Sequence, residues 1–96
     1  MGLRERYDFD NLVNEAEVKV LRELESQIAA TPGLCTCQDC VLDMAAYALN
    51  TLKPSYRVSL MGSVYAHSAE QAASLREVTR AVQEAIKKIR ANPSHD

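Results

Sequence analysis

The chain predicts a mostly α-helical small domain of three helices, with a buried central helix, a short extended or β connector, and a dimer as the expected assembly. Three observations carry that prediction. Aromatic residues make up 5% of the chain, with no Trp and with Gly and Pro at three each, a composition that disfavours a sandwich of short strands and tight turns. Long segments repeat apolar residues at close to 100° per residue. Breakers stand between those segments, at Thr31-Pro32-Gly33 and Lys53-Pro54. At 96 residues there is room for one core only. The expected division is a flexible N-terminal arm over 1–9, a single domain over 10–91 and a disordered tail over 92–96.

The first helix is expected from Asp10 to Ala30. Val13, Ala16, Val20, Leu24 and Ile28 share one face, broadened by Leu12 and Leu21. Asp10 is the expected N-cap, and Glu15 precedes Lys19 by four residues in the favourable order. Val18 lies off the apolar face. The second helix starts at Thr36 or Gln38 and runs to Leu52. It is apolar nearly all the way round, leaving only Asp39, Asp43 and Asn50 as a thin polar stripe, so it is expected to be buried on several sides at the centre.

From Tyr56 to Leu60 apolar and polar residues alternate, and Met61-Gly62-Ser63 reads as a turn. A lone short strand is unstable, so this one must lie on the helices or pair across a dimer. The third helix is expected to open at Ser68 with the capping box Ser68-Ala69-Glu70-Gln71. Its apolar seam is Leu75, Val78, Val82, Ala85, Ile86 and Ile89, and Lys87, Lys88 and Arg90 suit the negative end of the helix dipole. Such a seam packs on its own core or forms a self-complementary dimer contact.

Charge and motif content exclude several functions. Eleven basic against thirteen acidic groups give a net charge of −2, which lacks the positive field of a non-specific duplex binder, so no nucleic-acid partner is expected. The uncharged stretch 58–69 falls short of the ~20 apolar residues that span a bilayer, and no membrane partner is expected. The first ten residues are charged and carry no apolar signal core, which makes the cytoplasm the expected compartment. With two histidines, no nucleophile elbow, no Gly-rich phosphate loop and no metal-hydrolase motif, enzymatic activity is not expected. Asp39 and Asp43 lie one turn apart, but acids in the first two turns of a helix are accounted for by capping and the dipole.

All three cysteines fall within six residues, Cys35-Thr36-Cys37-Gln38-Asp39-Cys40, at the start of the second helix. Cys37 and Cys40 are three apart and share a helical face, while Cys35 can fold back from the loop after Gly33. Backbone N–H groups at a helix N-terminus stabilise thiolates, the form zinc requires. Structural zinc takes four ligands. His67 is the better-placed internal fourth candidate, with Asp43 and His95 behind it. Two other readings compete: three small apolar residues packed at a helix start, and a redox pair formed by Cys37 and Cys40.

The run from Cys35 to Ser59 resembles the hallmark of the late competence development protein ComFB family, C-x-C-x-x-C followed by D-[aliphatic]-x-A-x-A-L-N-x-L-x-P-x-Y. The matching residues are Cys35, Cys37, Cys40, Asp43, Ala46, Ala48, Leu49, Asn50, Leu52, Pro54 and Tyr56. The preceding amphipathic segment, with Asn11, Leu12, Val13 and Glu15, is also where that family places a helix. The resemblance implies a small, mostly α, homodimeric bacterial protein without enzymatic activity. It further implies zinc held by cysteines, with Cys35, Cys37 and Cys40 as the clustered ligands. Members with a complete site have a further cysteine, which this chain lacks.

The same resemblance implies binding of cyclic dinucleotide messengers, chiefly cyclic di-GMP, in the control of motility, cell size or development. Such a ligand calls for cations at phosphates and flat groups over bases. Tyr56, Arg57 and Tyr65 in the connector and Arg4, Arg6 and Tyr7 in the arm are the candidates, although a solvated residue on an alternating strand and a flexible charged arm are the plainer account of these positions. The leading reading is a non-enzymatic cytosolic regulatory binding protein that takes cyclic di-GMP. The alternative is a protein-interaction or scaffold module, stabilised by Cys-bound zinc, with an unknown protein partner and no small-molecule ligand.

Overall fold

Residues 2–58 and 73–93 are described by the computed structural model. In chain order they form α1 (Leu3–Arg6), β1 (Val13–Asn14), α2 (Glu15–Ala29), α3 (Gln38–Asn50), β2 (Tyr56–Arg57) and α4 (Leu75–Ala91). The architecture is mostly helical, as expected, with α2, α3 and α4 packed on one another around a common core.

Helix α2 begins at Glu15, not at Asp10. Val13 and Asn14 are extended and pair antiparallel with Arg57 and Tyr56. Val13 satisfies the helical spacing of Ala16 and Val20, but spacing alone does not reveal that a distant strand takes this residue first. The N-cap is Asn14, whose Oδ1 accepts from the Ala16 N–H at 3.2 Å. The Asp10 N–H instead donates to Asp8 Oδ1 at 2.9 Å. Ala16, Val20 and Leu24 are buried, whereas Leu12 (43% exposed) and Leu21 (49%) do not broaden that face. The helix closes where Thr31 Oγ1 donates to the Gln27 carbonyl at 2.6 Å, and Gly33 turns the chain away with φ +80°, a value that a side chain would strain.

Helix α3 is capped by Cys37 and buries Cys40, Met44, Ala45 and Ala48. Leu42 (57% exposed) and Ala46 face outwards, so within one chain α3 is covered on one side and not on several. It shares the centre with α4, whose seam of Val78, Ala81, Val82, Ala85 and Ile86 is buried against α2 and α3. That settles the seam's role in favour of the chain's own core. Helix α4 begins at Leu75 with its own capping box: Ser74 Oγ accepts from the Glu77 N–H and Glu77 Oε1 accepts from the Ser74 N–H. The expected box at Ser68–Gln71 lies outside the described residues. Leu75 precedes the covered part of the seam and is 75% exposed. Two polar ties fasten α2 to this layer, Lys19 Nζ to the Ala73 carbonyl and Gln27 Nε2 to the Thr79 carbonyl, both at 3.2 Å.

The connector after α3 returns to the start of α2. The Glu15 N–H donates to the Ser55 carbonyl at 2.7 Å, and Asn14 Oδ1 accepts from the Ser55 N–H at 2.8 Å. Ser55 is buried, so these bonds satisfy backbone groups that water does not reach. β2 therefore pairs inside the chain. The remainder of the expected strand, from Ser59, and the turn at 61–63 lie outside the described residues.

Candidate functional site

The cysteine cluster is built by the cap of α3. Cys37 adopts the extended N-cap conformation (φ −68°, ψ 161°), and its Sγ accepts from the Cys40 N–H at 3.4 Å. One helical turn later Cys40 points into the core and is 1% exposed. Leu34 and Cys35, half-buried, pack against that core from the preceding loop. The three Sγ atoms lie within 4.8 Å of one another. No disulfide joins them.

Tetrahedral zinc with Zn–S bonds near 2.3 Å sets its sulfurs roughly 3.8 Å apart. The spread found here needs only a small inward movement to reach that spacing. A thiolate set at the positive end of a helix dipole is the donor chemistry that zinc selects. The residues therefore fit the ion, with Cys35, Cys37 and Cys40 as three ligands. Asp43, one turn beyond Cys40, is not among the clustered donors in the described residues. His67 and His95 lie outside the described residues.

The candidates for a messenger have different partners in the fold. Arg57 makes an ion pair with Glu15, both side chains being about a quarter exposed, so its guanidinium fastens β2 to the first turn of α2. Tyr56 is 57% exposed and borders a groove of about 540 Å³ with Leu12, Leu49, Leu52 and Pro54. Arg4 sits over the Phe9 ring and Arg6 over the Tyr7 ring, 5.4 and 5.5 Å from the centroids. Tyr65 lies outside the described residues.

A second groove, of about 310 Å³, opens between α3 and α4 and is lined by Tyr47, Thr51, Leu52, Arg76, Arg80 and Glu84 among others. Sequence reasoning missed it because its residues come from two helices and form no local motif. The available signal was the seam of α4: once Val78 and Val82 face inwards, Arg76 and Arg80 must emerge together, one turn apart. No described helix is long and apolar enough to cross a membrane.

Comparison with known proteins agrees with this architecture. No curated protein matches the chain. A solved structure, the late competence protein ComFB from Bacillus subtilis, matches with a TM-score of 0.65 and 27% identity, covering 86% of this chain and 94% of that one. Residues 13–93 match the family described as late competence development protein ComFB. That span holds both strands, the three packed helices and all three cysteines, and on this ground the chain belongs to the ComFB family.

Proposed function

We propose that this chain is a non-enzymatic regulatory binding protein of the cytoplasm, working as a homodimer, with zinc at Cys35, Cys37 and Cys40 and cyclic di-GMP as its ligand. The observation that carries the zinc assignment is the convergence of the three sulfurs at the cap of a core helix. Zinc there would be structural: it neutralises gathered thiolates and pins the 34–37 loop to α3. Elemental analysis of protein purified without chelator tests it. About one zinc equivalent per chain is expected, and less than about a tenth of an equivalent overturns the assignment.

Support for a homodimer comes from the outer side of α3. Leu42, Ala46 and Leu49 follow helical spacing, the first two exposed. Leu49 also borders the groove that Leu12, Pro54 and Tyr56 share. An exposed apolar stripe that runs into a groove of mixed lining, with Asn14, Glu17 and Asn50 beside the apolar side chains, is the kind of surface that a second copy covers. The native mass is expected to be that of two chains, and Leu42→Glu is expected to halve it. The cyclic di-GMP assignment rests on family membership and is tested by isothermal titration. Absence of heat, together with absence of competition against cyclic di-AMP, removes it.

One observation favours the scaffold reading as a second possibility for the β2 region: Arg57 is engaged by Glu15 inside the chain. In that reading the dimer docks a protein partner and takes no small molecule. A pull-down that survives in the complete absence of nucleotide binding selects it.

A further inference from the structure

Arg76 and Arg80 are exposed, one turn apart on α4, and among the described residues neither has a hydrogen-bond or ion-pair partner. Two like charges at this spacing disfavour each other, and an anion shared between them relieves that repulsion. They stand over a groove whose opposite wall is Tyr47, Thr51 and Leu52 of the α3 end. Tyr47 is half-buried and packed on the core, so its ring is held in place before any ligand arrives, the condition for a stacking surface that costs little ordering. Both arginines lie within the first two turns of a 17-residue helix, where the dipole adds to their field.

The two carboxylates in the groove have different occupations. Glu77 Oε1 accepts from the Ser74 N–H at 3.2 Å as part of the capping box. Glu84 lies one turn beyond Arg80 and also lines the groove. A carboxylate is the natural acceptor for the paired N–H donors on a guanine edge, which adenine does not present. Cations for a phosphate, a flat ring for a base and an acceptor for guanine therefore meet in one place, in a volume at the lower end of small-ligand sites.

We infer that the Tyr47–Arg76–Arg80–Glu84 groove is where a guanine nucleotide binds, with Arg76 and Arg80 on the phosphate, Tyr47 against the base and Glu84 on its N–H edge. That the ligand is cyclic di-GMP rests on the function proposed above; the position of the site does not.

The test is isothermal titration of the full chain with cyclic di-GMP, cyclic di-AMP and GMP, repeated for Arg76→Ala, Arg80→Ala, Glu84→Gln, Arg57→Ala and Lys53→Ala. Loss of a charge-assisted contact to phosphate predicts about tenfold or weaker binding for each of the α4 arginine variants, and an unchanged affinity for Lys53→Ala. Glu84→Gln is expected to narrow the preference for cyclic di-GMP over cyclic di-AMP. Both arginines are on the solvent side, so helical circular dichroism should match the wild type and separates binding loss from unfolding. If cyclic di-GMP binds and the Arg76 and Arg80 variants retain wild-type affinity, or if Arg57→Ala alone abolishes binding, the site is wrong while the receptor reading stands. If the wild type binds none of the three nucleotides, both fall.

Discussion

The starts of α2 and α3 solve the same problem with different elements. Each helix must satisfy backbone N–H groups that have no partner within the helix. At α2 an amide oxygen does so: Asn14 Oδ1 accepts from Ala16 and also from the buried Ser55 N–H. At α3 a sulfur does so: Cys37 Sγ accepts from Cys40, with two further sulfurs within 4.8 Å. The oxygen cap is completed by the chain itself. The sulfur cap is a weaker acceptor, and its three thiols become a strong site when a divalent cation joins them. The difference shows which helix start is closed by the chain's own groups and which offers a donor set that fits a metal ion.

The largest effect that sharpens this contrast is metal removal. With zinc about a thousandfold above its dissociation constant, binding contributes about 4 kcal/mol, so a chelator is expected to lower the melting temperature by roughly 15–30 °C. An unchanged melting curve breaks the contrast. Cys37→Ser separates the two duties of that residue, because the hydroxyl retains an N-cap acceptor while the metal loses a thiolate. The chelator response should vanish in that variant while the helical signal persists.

The intermediate effect belongs to α2. Asn14→Ala removes a cap and leaves the Ser55 N–H buried without its acceptor, a combined loss of about 2–3 kcal/mol in denaturant unfolding. A loss below about 0.5 kcal/mol, the size of an ordinary surface substitution, denies Asn14 its double role. The smallest effect is at the Glu15–Arg57 pair. Partly exposed, it is worth about 0.5–1 kcal/mol, and a double-mutant cycle with Glu15→Gln and Arg57→Ala should show a coupling that fades as salt is raised.

Periodicity made the core legible. Val20 and Leu24 on α2 and Val78, Val82 and Ala85 on α4 are buried where helical spacing places them. The cysteine cluster was legible because its members are near neighbours in sequence, which makes their convergence a local matter. The start of α2 was not, because Asn14 outcompetes Asp10 through a bond to Ser55, a residue 41 positions away. The exposure of Leu42 was hidden for a similar reason: an all-round apolar helix raises the expectation of cover on every side, whereas the chain itself covers only the side of Cys40, Met44 and Ala48. Arg57 read as an available cation until the fold brought Glu15 to it. The α4 groove was illegible because Tyr47 and Arg76 meet only after two helices have packed.

The short ladder between Val13–Asn14 and Tyr56–Arg57 makes the intervening stretch a closed circuit. Whatever enters α2 and whatever leaves α3 pass through one knot, tied by Asn14, Ser55, Glu15 and Arg57. A pull on the chain beyond Arg57 is therefore delivered to the first turn of α2 through these bonds, without passing along α3.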